Sequence, residues 1–437
     1  MTATPVNRLL ARVAKVEPEE TPAVIAAFLL FFCVLGGYFA VRPVRETVGI
    51  ILGRDRVADL WVVTWIASIA IVPIYGALCA RFKRSAFLPW IYGFVALALI
   101  SCGIVLQASD NSVAMARFFY VFISVLNLFV VSVFWSFLLE LFNPAQTKRL
   151  FGAIAAGGTA GALLGPFVTS LVVGSVGNSG ILFMGASMFL LAIVLQRVLI
   201  GIGEKRAWAA SQSALSLDRP IGGNPFAGFG LVLRSPYLLG IASFVVLLAS
   251  VNTFLYFEQM RLVAATFTDQ VQQTIVFSRL DYTVQTLTII SQLAFTGRLA
   301  NKFGIGLLIT AVPILMVGGF LALAATGTFG VLAAVMITRR VGEYAFIRPA
   351  REMLFSRVDT ESKYKAKNLI DVPVYRGGDA LAAQVSKGLT SSGWSAGMVA
   401  VLGACVAAAW AVNGYLLGRT QRENAAKADT RVPVAAR

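Results

Sequence analysis

Residues 22–41 read PAVIAAFLLFFCVLGGYFAV, twenty positions without a charged side chain. The hydrocarbon core of a bilayer, ~30 Å thick, takes ~20 apolar helical residues to cross, so this run has the length of one membrane span. Working outward, the same pattern recurs between short basic or Gly/Pro-rich breaks. Runs begin near Pro22, Asp59, Phe87, Arg117, Leu150, Gly180, Pro236, Thr274, Ile305, Phe329, Asn368 and Trp394, and the last ends near Gly418. Twelve transmembrane helices are therefore expected, in an all-α membrane protein. Composition agrees: 58% of residues are hydrophobic and 13% charged, against roughly 45–50% and 25% in soluble domains.

The stretch 201–235 is rich in Ser, Gly, Pro and mixed charge and reads as a linker. The expected organisation is an N-terminal segment 1–21, a six-helix bundle over 22–200, that linker, a second six-helix bundle over 236–418, and a tail 419–437. The first apolar run is long, follows Glu17, Glu19 and Glu20, and lacks a small-residue cleavage site, so it reads as a retained span. With both termini cytoplasmic, 28 of the 37 Lys and Arg residues fall in or beside cytoplasmic segments. That bias sets the orientation. The formal charge of +16 is thus mostly topology, spread over short loops, and no nucleic-acid partner is expected. Cys33, Cys79, Cys102 and Cys405 are solitary in apolar runs and read as small buried hydrophobes. Histidine is absent, which removes the commonest metal ligand and the usual general base. No cofactor or metal is expected.

Internal symmetry follows. Gly76 to Arg81-Phe82 and Gly297 to Lys302-Phe303 both read Gly, four residues, a basic residue, then Phe, 221 positions apart. Gly157-Gly158 and Gly377-Gly378 match at a separation of 220. Parallel repeats of six helices place a substrate near the midplane between the halves. The two loops resemble the Gly-x-x-x-Asp-Arg-x-Gly-Arg-Arg loop motif of major facilitator transporters, with Ala80 and Asn301 in place of the Asp. Gly158-x-x-Gly161-x-x-x-Gly165-Pro166 resembles the span-5 motif of antiporters in that superfamily; ordinary tight packing with a proline kink is the plainer reading. The resemblance implies two six-helix bundles of the major facilitator type.

Ionisable residues inside spans are costly and mark function. Tyr38, Arg42, Arg45 and Glu46 share one helical face at the end of span 1, beside Pro43; a salt-bridged outer loop is the other reading. Span 10 carries Arg339, Arg340, Glu343 and Tyr344, then Arg348, Arg351 and Glu352. Arg339 and Glu343 are spaced to pair. Span 11 carries Lys367, Asp371, Tyr375 and Asp379, with Arg376 one step around; Lys367–Asp371 and Arg376–Asp379 pairs are expected. Weaker signals are Trp135 and Glu140 in span 4, Glu258 and Arg261 in span 7, and Asp281, Gln285 and Gln292 in span 8. Arginine dominates, and its planar fork suits phosphate or carboxylate. A multiply charged organic anion is the expected substrate.

At these residues the chain resembles the ATP/ADP translocases and their broader bacterial relatives. The stretches that carry the likeness are Tyr38 to Glu46, Val133 to Phe137 with Lys148 to Gly152, and Arg348 to Phe355 through Lys365 to Asp371 and Tyr375 to Gly378. The resemblance implies the fold and an anionic substrate of the nucleotide kind; the expected protein is a monomeric carrier in a bacterial inner membrane, with exchange of ATP against ADP or a close relation as the leading reading. Arg45-Glu46 stands where established nucleotide exchangers of this kind carry Lys-Asp, and Glu140 where they carry amides nearby. No Gly-x-x-x-x-Gly-Lys-Ser/Thr loop is present, so ATP-driven pumping is not expected, and the protein reads as a transporter and not an enzyme. A proton-coupled exporter of another solute, or a non-transporting sensor or complex partner, are the alternatives.

Overall fold

The structure is a computed structural model that describes residues 16–81, 84–108, 112–205, 227–355, 366–367 and 369–429. Most of the expected linker (206–226), the basic stretch 356–365, Asn368, Phe82 and Lys83, and both chain ends lie outside these residues. The described chain is nearly all helix, with no strand among its residues. In order the helices are α1 (Thr21–Leu52), α2 (Arg54–Arg81), α3 (Arg84–Ala108), α4 (Val113–Leu141), α5 (Pro144–Lys205), α6 (Ala227–Arg234), α7 (Pro236–Thr266), α8 (Gln270–Ser291), α9 (Gly297–Thr326), α10 (Phe329–Gly342), α11 (Arg348–Leu354), α12 (Tyr375–Ser391) and α13 (Ala396–Asp429). Three π-turns interrupt the series, at Gln292–Thr296, Glu343–Ile347 and Ile370–Val374.

Seven helices among the described residues are long and apolar enough to cross a membrane. One such stretch, Arg149–Gly203, has 55 residues, about 80 Å of helix against a core of ~30 Å. It cannot be one span. Gly177 breaks it with φ 68° and ψ 177°, a left-handed backbone that glycine adopts without a Cβ penalty. Both arms return to the same part of α1: Gly165 packs on Gly36 and Ala40, and Gly185 on Gly37 and Val41. Spans 5 and 6 of the sequence reading thus form a hairpin folded at Gly177. Expected spans 8, 10 and 11 are not among the seven, and span 2 runs into side chains outside the described residues. Spans 8, 10 and 11 hold the three π-turns and most of the intramembrane charge, so they are less apolar because they carry the polar residues.

The chain divides into two compact units. One holds the described residues within Met1–Leu52, Ala70–Gly222 and Phe267–Tyr282, and the other those within Gly53–Ile69, Gly223–Thr266 and Thr283–Arg437. Compared with the expected halves, 22–200 and 236–418, two helix ends change sides. The start of α2 belongs to the second unit and the start of α8 to the first.

In the first unit, α1 and α5 approach to backbone contact. A Cβ on Gly157 would lie 2.3 Å from the Phe28 carbonyl oxygen, one on Gly161 2.5 Å from that of Phe32, and one on Gly165 2.6 Å from that of Gly36. The Thr169 hydroxyl continues the series, donating to the Ala40 carbonyl at 3.0 Å. Steps of four on one helix meet steps of four on the other, the close packing that small residues permit in lipid. Gly158 faces the Phe31 ring instead, so the contact runs through Gly157, Gly161 and Gly165. The helix continues through Pro166, and its interior departs from helical geometry at Gly177.

The second unit has an apolar core in which Phe244, Ile309, Phe320 and Trp410 are buried, with α9 and α13 in close antiparallel contact at Gly306–Gly418 and Ile309–Gly414. In both units, large apolar side chains such as Leu97, Leu171, Leu315 and Leu416 are exposed, as lipid-facing surfaces require.

The α1–α5 ladder predicts a sharp contrast between two glycines. Gly161→Ala is expected to destabilise the protein by roughly 1–3 kcal/mol through overpacking. Gly174→Ala, which meets nothing within 4 Å, is expected to be neutral or slightly stabilising. Thermal unfolding in detergent micelles checks both, and equal melting temperatures for the two variants would overturn the ladder.

Candidate functional site

The charged residues of span 1 lie inside α1, not on an outer loop. Tyr38 is buried, its ring edge-on to Phe39 at 5.1 Å. Arg42 meets Glu46 at 3.8 Å, one helical turn on, and Asp281 of α8 at 3.4 Å. Arg45 donates to Glu46 in a very short contact and to the Ser124 hydroxyl at 3.1 Å, and its guanidinium sits 5.3 Å from the centre of the Tyr120 ring. Glu46 and Asp281 are buried. Two arginines and two carboxylates thus make a mutually compensated group, as buried charge demands. Pro43 does not break the helix. On α4, Trp135 is half-buried in an aromatic cluster with Phe31, Phe134 and Phe151, ring centres 5.0 to 5.3 Å away. Glu140 is half-buried near the end of the same helix.

The second unit brings together the residues of spans 10 and 11. Arg339 and Glu343 pair at 2.8 Å, both about 95% buried, as their spacing implied. Arg340 is buried beside them. Arg348 reaches the same Glu343 carboxylate at 3.4 Å and lies 4.5 Å from the centre of the Tyr344 ring, yet 57% of its side chain is exposed. One carboxylate therefore serves two arginines, and the second keeps donors facing outward. Arg351 pairs with Asp371 at 2.9 Å, and Lys367 with Glu352 at 2.6 Å. This corrects the expected Lys367–Asp371 pair. Asp371 sits in the π-turn 370–374, where the extra residue per turn removes the i,i+4 alignment, and the partners from α11 take over. Arg376 and Asp379 do pair, at a loose 3.7 Å. Asp379 is buried beside Thr253 and Asn252, whereas 27% of the Arg376 side chain is exposed. Tyr375 lies within electrostatic reach of Glu343, Asp379, Arg339 and Arg348. The site is one connected field.

The π-turns have identifiable causes and neutral partners. Pro349 has no N–H for the Ala345 carbonyl, four residues back, and the Thr296 hydroxyl donates to that carbonyl at 2.9 Å. The Arg348 N–H goes to the Glu343 carbonyl, which deprives the Tyr344 carbonyl of its usual donor. Gln292 Nε2 supplies one at 3.2 Å. Pro373 lies in the third π-turn, and its carbonyl accepts from Trp65 Nε1 at 3.0 Å. Near the same helix Lys387 pairs with Asp59 at 2.7 Å, and Arg54 donates to the Ser386 hydroxyl at 2.7 Å.

Trp65, Ser124 and Thr296 drew no functional reading from the sequence. Pro349 inside an apolar span is the signal that could have pointed to Thr296, since it leaves the Ala345 carbonyl in want of a donor. Glu258 and Arg261 pair with each other at 2.6 Å at the end of α7.

No family model matches the sequence. ADP,ATP carrier protein 1 of Chlamydia trachomatis serovar D is 22% identical over 454 residues, covering 88% of this chain and 85% of that one. The protein of the same description from Chlamydia muridarum aligns equally, at 22% over 454 residues. Among solved structures, the nucleoside transporter NupG superimposes with a TM-score of 0.62 at 15% identity, covering 92% of this chain and 99% of that one. A bacterial homologue of the iron transporter ferroportin gives 0.62 at 14%, with 89% and 98% covered. A bacterial homologue of the lysosomal transporter Spinster gives 0.61 at 12%, with 93% and 98% covered. These relatives are transport proteins, not enzymes. The chain is an all-helical, multi-pass membrane protein with the fold of these transporters, and over most of its length it is similar, at 22% identity, to the ADP,ATP carrier proteins.

Proposed function

We propose that the protein is a secondary carrier that exchanges organic anions, nucleotide against nucleotide, by alternating access across a bacterial inner membrane. The observation that carries this reading is the pair of partly exposed arginines, Arg348 and Arg376, set among buried ion pairs on membrane helices. A guanidinium offers five donors in a fixed fork matched to phosphate or carboxylate oxygens. Arg348 shares its carboxylate with Arg339, and Arg376 holds its own only loosely, so both have donors to offer an anion. The remaining pairs hold the frame. Arg42, Arg45 and Glu46 compensate one another within the first unit and serve as its polar counterpart, and Trp135 or a tyrosine is the candidate for contact with a base.

Relatives named as ADP,ATP carriers and a fold neighbour named as a nucleoside transporter support a nucleotide cargo. Exchange follows if the empty arginine site interconverts slowly between its states and an anion favours the change by neutralising it. The distribution of Lys and Arg supports cytoplasmic termini. A single chain contains the whole site, so a monomer suffices, and nucleic acid has no part in it. A proton-coupled cycle is the second reading, favoured by Asp379, which is buried with its arginine 3.7 Å away.

Proteoliposomes holding internal ADP are expected to take up radiolabelled ATP, with uptake that persists in the presence of an uncoupler and vanishes when the vesicles are empty. Uptake no greater than in protein-free vesicles removes the nucleotide assignment. Collapse on adding the uncoupler selects the proton-coupled cycle instead.

Arg348→Gln and Arg376→Gln are each expected to slow exchange about tenfold or more, one charged hydrogen bond being worth roughly 1.5–3 kcal/mol, while melting temperature changes little. Glu343→Gln is expected to act on stability instead. It strips the buried Arg339 of its carboxylate, a loss of roughly 3–5 kcal/mol, seen as a lower melting temperature and yield. If Glu343→Gln melts as the wild type does and Arg348→Gln does not, the division of roles is wrong.

A further inference from the structure

Both π-turns next to the candidate anion residues are held from outside by uncharged donors. The turn 343–347 begins with Glu343 and leads into Arg348; the turn 370–374 contains Asp371 and leads into Tyr375 and Arg376. In an α-helix a single extra residue turns everything beyond it by about 100°, so these insertions decide which way the charged side chains point. They are also places where the backbone takes donors from outside the helix: Pro349 has no N–H to give the Ala345 carbonyl, and the Pro373 carbonyl accepts from a side chain of another helix. Thr296 gives its hydroxyl proton to the Ala345 carbonyl at 2.9 Å. Trp65 gives its indole N–H to the Pro373 carbonyl at 3.0 Å. The indole also lies against the helix just past the turn. A Cβ on Gly377 would come 3.3 Å from Nε1 and 3.4 Å from Cε2, tighter than ordinary contact. A side chain at position 377 would oblige the indole to shift by a few tenths of an ångström.

We propose that Trp65 and Thr296 are positioning residues of the anion site, each fixing a π-turn through one hydrogen bond and thereby aiming Arg376 and Arg348. This rests on the anion-carrier reading above. Neither residue need touch the cargo. Trp65 comes from the part of α2 that belongs to the second unit, where its neighbour Trp61 packs on Tyr256 and Phe257 with ring centres 5.0 and 5.6 Å away. The donor is therefore anchored independently of the turn it supports.

The test uses the full chain in proteoliposomes and measures KM and maximal rate of ATP/ADP exchange, with melting temperature alongside. Trp65→Phe keeps an aromatic ring and deletes the N–H. Thr296→Val is nearly isosteric and deletes the hydroxyl. Each is expected to raise KM about fivefold, the effect of losing one net hydrogen bond of about 1 kcal/mol, with the melting temperature within a few degrees of wild type. Gly377→Ala alters no donor but pushes the indole away, so it is expected to reproduce the KM of Trp65→Phe. The double variant Trp65→Phe/Gly377→Ala is expected to be no worse than either alone. Thr296→Ser, which keeps the hydroxyl, is expected to restore the wild-type KM. Unchanged KM in Trp65→Phe and Thr296→Val, or additive effects in the double variant, overturns the proposal. If Trp65→Phe fails to fold, Gly377→Ala and Thr296→Val still decide it. A wild-type protein that exchanges no nucleotide points instead to the cargo assignment, and KM is then replaced by the apparent affinity for inorganic phosphate in thermal-shift titration.

Discussion

A polar group placed in hydrocarbon has no water to turn to, and every peptide carbonyl or guanidinium there must be met by another part of the chain. Helix satisfies the backbone throughout most of this protein. Where Pro349 interrupts the ladder, the Thr296 hydroxyl completes it at the Ala345 carbonyl, and the Trp65 indole adds a donor from another helix to the Pro373 carbonyl. Where arginines enter, carboxylates accompany them, as Glu343 does Arg339 and Asp371 does Arg351. The charged residues are expensive, and they are concentrated on α1, α8, α10, α11 and α12, while α3 after Arg84 and α13 before Arg419 carry none.

The architecture could be read from the sequence because it depends on length and local composition. Runs such as 22–41 announce a span without reference to the rest of the chain. Short-range pairs were equally visible: Arg339 with Glu343 and Arg376 with Asp379 follow from helical spacing alone. The same rule failed for Lys367 and Asp371, because it assumes an unbroken α-turn and Asp371 sits in a π-turn.

Pairings that depend on tertiary folding were out of reach. Arg42 finds Asp281 across 239 residues of sequence, and Arg45 finds Ser124 across 79; no periodicity connects them. Trp65 looked like any other aromatic residue in an apolar run. Its role emerges only when α2 lies along α12 with Gly377 leaving room for the indole. The glycine motif in α5 was visible, yet its register was not: Gly157, Gly161 and Gly165 meet carbonyls, and Gly158 meets a ring. One residue of shift turns a neighbour through about 100°, and sequence alone does not say which glycine faces the partner.

The regular step of that ladder has a mechanical result. Each glycine sits over a carbonyl, and the next place of equal fit lies four residues away, about 6 Å along the axis. Sliding α1 along α5 by any smaller amount drives α-carbons into oxygens. The two rods are keyed like a rack, so under any rearrangement of the unit they travel as a single beam.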